Sequence, residues 1–311
     1  MTASIAVTGS IAWDHIMNFP GRFKDHILSD KLHILNVSFL VGDFRRQRGG
    51  CAANIAYALA LHGLRPRLVG AAGCDFAPYR EWLEEQGVDC EGVCQHDDVA
   101  TASCFITTDA DNNQITCFYP GAMARAAEAP LSGDHALATV SPNDPEAMRA
   151  YPRRCRELGL PFLYDPGQQV IALSGEDLVD GLTGAKVVVC NDYELAVVQE
   201  KTGRDVAGLL ELAEAVVVTL GKEGSRAHLR DGTCVEVPAA PVREVVDPTG
   251  CGDAYRGGLV KGIVEGEDWE TALRWGTLTA AYCVEVRGTT GYEFTVDRFA
   301  ERLGGAFASA S

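Results

Sequence analysis

Strand-like and helix-like patterns alternate along most of this chain, and no other feature limits its possible folds as strongly. Short apolar runs predict buried strands, among them RLVGAAG, PFLYDPG, KVVVCN and AVVVTLG. Between them, apolar residues at helical spacing predict helices, such as GCAANIAYALALHGL and DYELAVVQEKTG. This order predicts an α/β fold with a mostly parallel sheet and helices on both of its faces.

Ligands of such folds bind beyond the carboxyl ends of the strands. The stretch SIAVTGSIAW predicts a first strand that ends near Asp14. Polar or glycine residues at the ends of predicted strands are therefore candidate site residues, and they are Asp14, Asp165, Asn191, Thr219 and Gly221.

Two segments interrupt the alternation. Residues 15–48 contain no helix-sized period, and residues 101–120 predict a hairpin in which ADNN joins TASCFITTD to QITCFYPG. We expect both segments to form a small β-lid, and residues 1–14, 49–100 and 121–311 to form the α/β core. The C-terminal GGAFASAS is expected to fray.

Composition excludes several classes of partner. The 311 residues carry 27 basic and 43 acidic side chains, for a net charge of −16, so no basic face for nucleic acid is expected. No apolar run is long enough to cross a bilayer, and the first residues do not have the pattern of a secretory signal. The 11 cysteines are scattered without a CxxC pair, which favours buried, reduced thiols in a cytoplasmic enzyme.

The motif DPTGCGD precedes a predicted helix that begins near Asp253. Glycines at a helix start let an anion approach free backbone N–H groups, which makes Gly250, Cys251 and Gly252 a candidate phosphate cradle. The alternative is an ordinary helix entry in which Asp253 is a first-turn acid. No Lys-Ser/Thr pair follows the glycines, which excludes a P-loop.

Three further motifs have a functional and a structural interpretation. RGGCAANIA sets Gly49 and Gly50 before a helix that carries Asn54 among apolar residues, where a buried amide needs a partner. NDYE indicates either a hydrated Mg²⁺ and phosphate site or a plain capped helix start. TLGKEGS indicates either backbone approach to a nucleotide or an ordinary turn. The residues concerned are Asn191, Glu194, Thr219, Gly221 and Gly224.

Together and in this order, the strand-end Asp and the motifs GGxxAN, NxxE, TxGxxG and DxTGxGD resemble the ribokinase-like superfamily of carbohydrate and nucleoside kinases. FPGRF, FYPGAM and NDPEAM resemble the bacterial type of adenosine kinase within it. The resemblance implies a three-layer αβα core with a small β-lid. It also implies transfer of the γ-phosphoryl group of ATP to the 5′-hydroxyl of adenosine, with Mg²⁺, in purine salvage.

By the same resemblance, Asp253 is the general base, and the N–H groups of Gly250, Cys251 and Gly252 form the anion hole. The implied nucleoside-binding residues are Ser10, Asp14, Ser38, Gly49, Gly50, Asn54, Phe118, Gln168 and Gln169, with Phe118 as an aromatic wall for the base. Asn191 and Glu194 match the Mg²⁺ and phosphate group, with Glu194 acting through water, and Thr219, Gly221 and Gly224 match the nucleotide loop.

The chain departs from this pattern at several positions. Cys104 or Phe105 stands where a second base-stacking aromatic is usual, and Arg256 is expected to face solvent near the site. A sugar kinase or another nucleoside kinase of the superfamily remains the alternative, and a non-catalytic nucleoside-binding regulator a weaker one. A homodimer formed through the lid is a further expectation.

Overall fold

The computed structural model describes residues 3–27, 34 and 36–307. Within them the chain forms thirteen strands, which are β1 (Ser4–Thr8), β2 (Ala12–Asn18), β3 (Asp43–Gly49), β4 (Arg65–Gly73), β5 (Asp89–His96), β6 (Ala102–Thr108), β7 (Gln114–Tyr119), β8 (Leu137–Val140), β9 (Phe162–Tyr164), β10 (Val187–Asn191), β11 (Ala215–Thr219), β12 (Ser225–Leu229) and β13 (Cys234–Val237). Parts of the proposed lid, residues 28–33 and 35, and the tail at 308–311 lie outside the described residues.

The described helices are α1 (Cys51–Leu61), α2 (Ala77–Glu85), α3 (Pro145–Leu158), α4 (Gly175–Leu182), α5 (Asp192–Thr202), α6 (Val206–Leu210), α7 (Cys251–Glu265), α8 (Trp269–Val284) and α9 (Val296–Ala306). Short 3-10 turns occur at Phe23–Asp25, Gly121–Glu128, Gly167–Val170 and Gly221–Glu223. None of the helices in the described ranges is long and apolar enough to cross a membrane.

Nine strands form the main sheet in the order β13-β12-β11-β10-β9-β8-β1-β4-β5. The pairs from β11 through β5 are parallel, and β12 and β13 add an antiparallel edge. Side chains of β1 alternate between two cores, because Ile5 and Val7 pack with α1 and α7 while Ala6 packs with α3 and α4 on the other face. The predicted three-layer α/β fold is confirmed.

The second sheet has four strands in the order β3-β2-β6-β7. The prediction that one strand runs from the first residues to Asp14 is wrong, because β1 ends at Thr8 and β2 belongs to this second sheet. Between them, the Ser10 N–H donates to the Pro142 carbonyl at 2.9 Å and the chain leaves the main sheet. Ile11 and Ala12 are also buried, so the apolar pattern continues across the break and hides it.

Helix α7 lies against α1 and α8, and two glycines allow the close approach. A Cβ on Gly257 would clash with Ala58 of α1, and one on Gly258 would lie 2.7 Å from the backbone carbon of Trp275 in α8. Both glycines are therefore packing residues. Because α1 and α7 are in contact, their N-terminal ends meet at the carboxyl edge of the main sheet, where the site lies.

Candidate active site

The loop that enters α7 is held by Asp247. Its carboxylate oxygens accept hydrogen bonds from the N–H groups of Thr249 at 2.9 Å and Gly288 at 3.0 Å. Gly250 has φ +80°, a conformation that L side chains rarely adopt, and it directly precedes the helix. The loop therefore aims the first turn of α7 toward the carboxyl edge of the sheet.

The N–H groups of that first turn are the candidate phosphate cradle. A helix offers no internal carbonyl to the first N–H groups it contains, and its dipole places partial positive charge there. The Cys251 N–H donates to the Pro248 carbonyl at 3.3 Å, a long hydrogen bond that a stronger acceptor can replace. Gly250, Cys251 and Gly252 thus form the N-terminal end of α7, as the sequence predicted.

Asp253 occupies this first turn, and its carboxylate faces α1. Its Oδ2 accepts a hydrogen bond of 2.8 Å from Nδ2 of Asn54, a residue only 3% exposed. Asn54 therefore has a partner other than a ribose hydroxyl, while its Oδ1 has no hydrogen-bond partner among the described residues. Burial raises the pKa of Asp253, and the charge of Arg256 and the Asn54 hydrogen bond oppose this rise.

Asp14 lies on β2 with its carboxyl group against the backbone of Gly49. A Cβ built on Gly49 would fall 2.7 Å from Asp14 Cγ and 2.9 Å from Oδ1, so only glycine leaves the carboxyl group its place. Burial raises the pKa of Asp14 to about 6, and the charge of Asp253 contributes. Asp14 and Asp253 therefore interact electrostatically across one site.

Ser10 and Gly50 build the entry to α1. The Ser10 Oγ accepts a hydrogen bond from the Cys51 N–H at 3.0 Å, and its carbonyl accepts one from the Ala52 N–H at 3.1 Å. Gly50 has φ +94°, and a Cβ there would lie 2.6 Å from the Ser10 carbonyl oxygen. Both residues border the site, and the hydroxyl of Ser10 caps a helix in this structure.

The two glutamines follow β9. Nε2 of Gln169 donates to the Asn143 carbonyl at 2.6 Å, which ties that side chain to the protein. Gln168 is exposed, and its Nε2 lies 3.9 Å from the sulfur of Cys51 at the start of α1. Gln168 is therefore the glutamine that lies beside the predicted nucleoside-binding elements.

The register of the second sheet sets Gln47, Asp14, Cys104 and Phe118 in one row across its four strands. Residues paired across strands share a face, and adjacent residues of a strand lie on opposite faces. Phe105 is therefore on the other face, where its ring stacks on His15 with centroids 4.6 Å apart. Cys104 and Phe105 were the two candidates for the second base-stacking position, and Cys104 is the one that lies between Asp14 and Phe118.

Phe118 and Ser38 are at the margin of the site. Phe118 is 50% exposed on the edge strand β7, and Ser38 is exposed in the segment before β3. The structure aligns Phe118 with Asp14 through the sheet register, and it shows no contact that ties Ser38 to Asp14 or Asp253 in the described ranges.

The predicted nucleotide residues meet at the ends of neighbouring parallel strands, because Asn191 of β10 pairs in register with Thr219 of β11. Asn191 and Glu194 form a capping box, in which Asn191 Oδ1 accepts the Glu194 N–H at 2.7 Å and Glu194 Oε2 accepts the Asn191 N–H at 2.9 Å. Gly221 with φ +56° and Gly224 with φ +102° enclose the 3-10 turn that follows β11.

The donor set near Glu194 fits a hydrated Mg²⁺ and not a cation held by protein alone. A carboxylate and an amide oxygen are ligands that Mg²⁺ accepts, with waters and phosphate oxygens completing six positions. No group of three or more His, Cys, Asp and Glu side chains that could hold a metal occurs in the described part of the chain. Glu194 is also close enough for its charge to raise the pKa of Asp253.

The prediction for Arg256 is wrong. Its side chain is 6% exposed and forms an ion pair with Asp165, which is 1% exposed, with Nη2 2.7 Å from Oδ1. The position of Asp165 after a strand marked it as a candidate, but its partner is 91 residues away along the chain. No local signal in the sequence could have joined the two.

Comparison with known proteins agrees with this geometry. The sequence model of the family described as pfkB family carbohydrate kinase matches residues 7–293. The chain is 34% identical over 292 residues to a nucleoside kinase of Methanothermobacter thermautotrophicus, covering 92% of this chain and 90% of that protein. The structure of Burkholderia thailandensis nucleoside kinase in complex with inosine is 39% identical, with a TM-score of 0.88 over 98% of both chains. That of Methanocaldococcus jannaschii nucleoside kinase is 28% identical, with a TM-score of 0.87 over 97% of this chain and 98% of that one.

The chain therefore belongs to the PfkB family of carbohydrate kinases, in the ribokinase-like superfamily. The family and these relatives together support an ATP-dependent nucleoside kinase, with ATP as the co-substrate. The superfamily predicted from the motifs is confirmed. The closer likeness to adenosine kinase remains a prediction.

Proposed function

We propose that this kinase transfers the γ-phosphoryl group of ATP to the 5′-hydroxyl of adenosine, giving AMP in purine salvage. The observation that carries the proposal is that Asp253, at the start of α7, accepts a hydrogen bond from Asn54 of α1, the helix that follows the glycine against which the Asp14 carboxyl group lies. One carboxylate is available to a reacting hydroxyl beside a phosphate cradle, and the other to ribose hydroxyls. Inosine, the purine nucleoside in the Burkholderia thailandensis complex, supports a purine nucleoside as acceptor.

In this mechanism Asp253 accepts the proton of the 5′-hydroxyl as the hydroxyl oxygen attacks the γ-phosphorus atom. The bond between that phosphorus and the bridging oxygen to the β-phosphate breaks, and ADP leaves with the bonding electrons. Phosphoryl transfer depends mainly on positioning and on stabilisation of charge. The N–H groups of Gly250, Cys251 and Gly252 stabilise the negative charge on the transferred group. Burial makes Asp253 a stronger base than an exposed carboxylate, which suits proton abstraction near neutral pH.

Asp14 orients the nucleoside. A carboxylate has two oxygens, so it can accept hydrogen bonds from both vicinal hydroxyls of a ribose. Gly49, Gly50 and Asn54 lie around it, and Ser10 supports this group by capping α1. Gln168, Gln169 and Ser38 are proposed as further polar contacts at the edge of the nucleoside.

The phosphates of ATP would lie along Thr219, Gly221 and Gly224. Asn191 and Glu194 would hold Mg²⁺ through water, and the ion would offset the charge of the β- and γ-phosphates. The capping box holds both side chains at the start of α5 before any ligand binds. Asn191 and Glu194 would thus hold the hydrated ion, which would supply positive charge beside the phosphates.

Residues 15–48 and 101–120 are proposed as the lid and the remaining residues as the core. The second sheet formed by the lid also includes Ala12–Asp14, because β2 begins at Ala12. Phe118 would form one wall for the base. The face opposite Asp14 carries His15, Phe44 and Phe105 in one stack, with Phe44 59% and Phe105 40% exposed. This apolar face supports the proposed homodimer, and light scattering of Phe44→Ser tests it, because a monomer should result.

One observation favours a second candidate. Cys104, and not an aromatic residue, adjoins Asp14 in the row that ends at Phe118. Stacking on one aromatic ring instead of two gives up about 1–3 kcal/mol of base binding. A base held less tightly favours a nucleoside kinase that accepts several bases.

A substrate panel separates the candidates. We would measure kcat/KM with Mg-ATP for adenosine, inosine, guanosine, cytidine, ribose and fructose. Adenosine at least about tenfold above the others supports an adenosine kinase, because tenfold corresponds to about 1.4 kcal/mol of transition-state binding. Similar values for several nucleosides support the broader kinase, and a preference for ribose or fructose refutes both.

Asp253→Asn tests the base. We expect kcat to fall by about three orders of magnitude with nucleoside binding nearly unchanged, because general base catalysis contributes about 10²–10⁴-fold. Asp268→Asn is the matched control, since Asp268 caps α8 through the Thr271 N–H at 2.8 Å and should affect stability alone. A loss of less than about tenfold in Asp253→Asn would contradict the base assignment. Binding without turnover in the wild type would instead indicate a nucleoside-binding regulator. The cytoplasmic location remains a prediction.

A further inference from the structure

The guanidinium of Arg256 lies beneath the first turn of α7. Nη2 and Nε face the two oxygens of Asp165, with Nη2 2.7 Å from Oδ1, in a forked ion pair. The remaining nitrogen, Nη1, faces Gly252, because a Cβ built on that glycine would fall 2.8 Å from it. Arg256 therefore contacts the proposed phosphate cradle from the protein side.

Asp165 connects this guanidinium to the main sheet. Its N–H donates to the Val140 carbonyl of β8 at 2.8 Å, so the backbone of Asp165 is held at the carboxyl edge. The next residues lead into the 3-10 turn Gly167–Val170, which carries the two glutamines. The ion pair thus ties the catalytic end of α7 to the segment that borders the nucleoside.

A buried ion pair is weak evidence for stability alone. The desolvation of two charges can exceed their attraction, and apolar side chains of similar volume often stabilise a protein as well or better. Arg256 and Asp165 are both nearly inaccessible to solvent. Apolar side chains could fill this place as well, so packing does not explain the charges of Arg256 and Asp165. A role in the site does explain them.

The charges near Asp253 indicate that role. The carboxylates of Asp14 on β2, Asp165 after β9 and Glu194 on α5 all lie within electrostatic reach, and Arg256, one turn further along α7, is the cation that opposes them. Each carboxylate disfavours ionisation of Asp253, and the phosphates of ATP would add to this effect. A general base has to be ionised before it can accept a proton.

The other titratable groups near Asp253 do not offset this negative charge. Burial raises the pKa of the Cys51 thiol and of the Tyr79 and Tyr292 phenols, which keeps them neutral. The thiols of Cys251 and Cys283 donate to the backbone carbonyls of Asp247 and Thr249, and a thiol carries no positive charge in either protonation state. Among the described residues near Asp253, Arg256 therefore supplies the positive charge that offsets the neighbouring carboxylates.

We propose that Arg256 is a positioning residue, which holds the first turn of α7 through its ion pair with Asp165 and keeps Asp253 ionised as the base. This inference rests on the proposed phosphoryl transfer, although it does not depend on which nucleoside is the acceptor. Arg256 acts through Asp253 and Gly252, so its loss should lower kcat and leave the KM for the nucleoside nearly unchanged.

The test is the titration of Asp253 itself. It is monitored by carboxyl ¹³C NMR of the full chain labelled at aspartate. The Asp253 signal is identified by its absence in Asp253→Asn. Arg256→Met should raise the pKa of Asp253 by about one pH unit, a tenfold change in proton affinity. Asp165→Asn removes a negative charge and should lower that pKa, while both variants lower kcat because both break the fork.

The Asp253 pKa should shift in opposite directions in Arg256→Met and Asp165→Asn. A general loosening of the fold would instead move this pKa in the same direction in both variants. Arg256→Lys keeps the charge without the fork, so kcat should fall while the titration stays near that of the wild type. Lys261→Met removes a positive charge five residues beyond Arg256, about one and a half turns further along α7, and is the matched control, for which neither quantity should change.

Titrations that coincide in the wild type, Arg256→Met and Asp165→Asn would overturn the inference. If Arg256→Met does not fold, Asp165→Asn and Arg256→Lys decide the question, because a rise or no change in the Asp253 pKa of Asp165→Asn contradicts it. The NMR result needs no substrate. Failure of the substrate panel would therefore refute the proposed function without affecting the titration, and kcat would be measured with whichever acceptor the wild type phosphorylates.

Discussion

Asp14→Asn should make the ligand-free protein more stable and should at the same time weaken nucleoside binding. The Asp14 carboxyl group is partly buried against Gly49, within electrostatic reach of Asp253. Asparagine has the same shape without the charge. The substitution therefore removes an ionised group from a place that disfavours it, and it also removes an acceptor for the proposed hydrogen bonds to the ribose hydroxyls.

The size of the gain follows from the pKa of Asp14, which burial and the charge of Asp253 raise from 3.8 to about 6. Each pH unit of difference between the folded and unfolded chain corresponds to about 1.4 kcal/mol. Above pH 6 the ionised carboxylate therefore lowers the free energy of unfolding by up to about 3 kcal/mol, and Asn should restore up to that amount.

The stability difference between the wild type and Asp14→Asn should depend on pH, in a direction set by the raised pKa of Asp14. Between about pH 4 and pH 6 the folded protein binds the proton more tightly than the unfolded chain, so the stability of the wild type falls as the pH rises through this window. The advantage of Asp14→Asn should thus be full above pH 6 and should vanish below pH 4, where Asp14 is protonated in both states.

The assay is urea unfolding of the wild type and Asp14→Asn at several pH values, with nucleoside affinity measured by calorimetry on the same samples. Asp247→Asn is the matched control, because the N–H groups of Gly288 and Thr249 help to lower the pKa of Asp247 and its loss should destabilise the fold at neutral pH. An Asp14→Asn variant that is no more stable than the wild type at pH 7.5, or whose advantage persists at pH 4, would refute the reasoning.

Three other outcomes follow from the packing. Gly49→Ala should displace the Asp14 carboxyl group, because the new Cβ would lie 2.7 Å from its Cγ; we expect the nucleoside KM to rise by about tenfold, for about 1.4 kcal/mol of lost hydrogen bonding, with kcat little changed. Gly257→Ala adds a methyl group against Ala58 and should lower the free energy of unfolding by about 1–3 kcal/mol in urea, without affecting the KM. Phe118→Ala should reduce kcat/KM for a nucleoside by about ten- to a hundredfold, through the loss of about 1–3 kcal/mol of stacking, and equal losses for ribose would contradict its role as base wall.

Much of the fold could be predicted because its signals are local. The helix-period segments GCAANIAYALALHGL and DYELAVVQEKTG correspond to α1 and α5, and the helix predicted after DPTGCGD corresponds to α7. The hairpin of residues 101–120 corresponds to β6 and β7. Strand β8 was not predicted, since LATV has only four residues and such a run does not distinguish a strand from buried helix. The break between β1 and β2 was missed because both sheets bury the residues around it.

The candidate site divides in the same way. The glycine-rich start of α7 and the glycine pair before α1 are each made by consecutive residues. Their spacing therefore made them candidate phosphate and nucleoside sites, with an ordinary structural role as the alternative. The sequence also determined the superfamily, because the order of these motifs along the chain can be read without knowing their contacts.

Only the tertiary structure decided which side chains act together. Asn54 reaches Asp253 across 199 residues and Arg256 reaches Asp165 across 91. These pairs depend on which strands adjoin and on how closely α1 packs against α7, which are long-range properties of the fold. Burial then sets the charge states of the carboxylates, because the cost of an ionised group depends on the residues that exclude water from it and not on its neighbours along the chain.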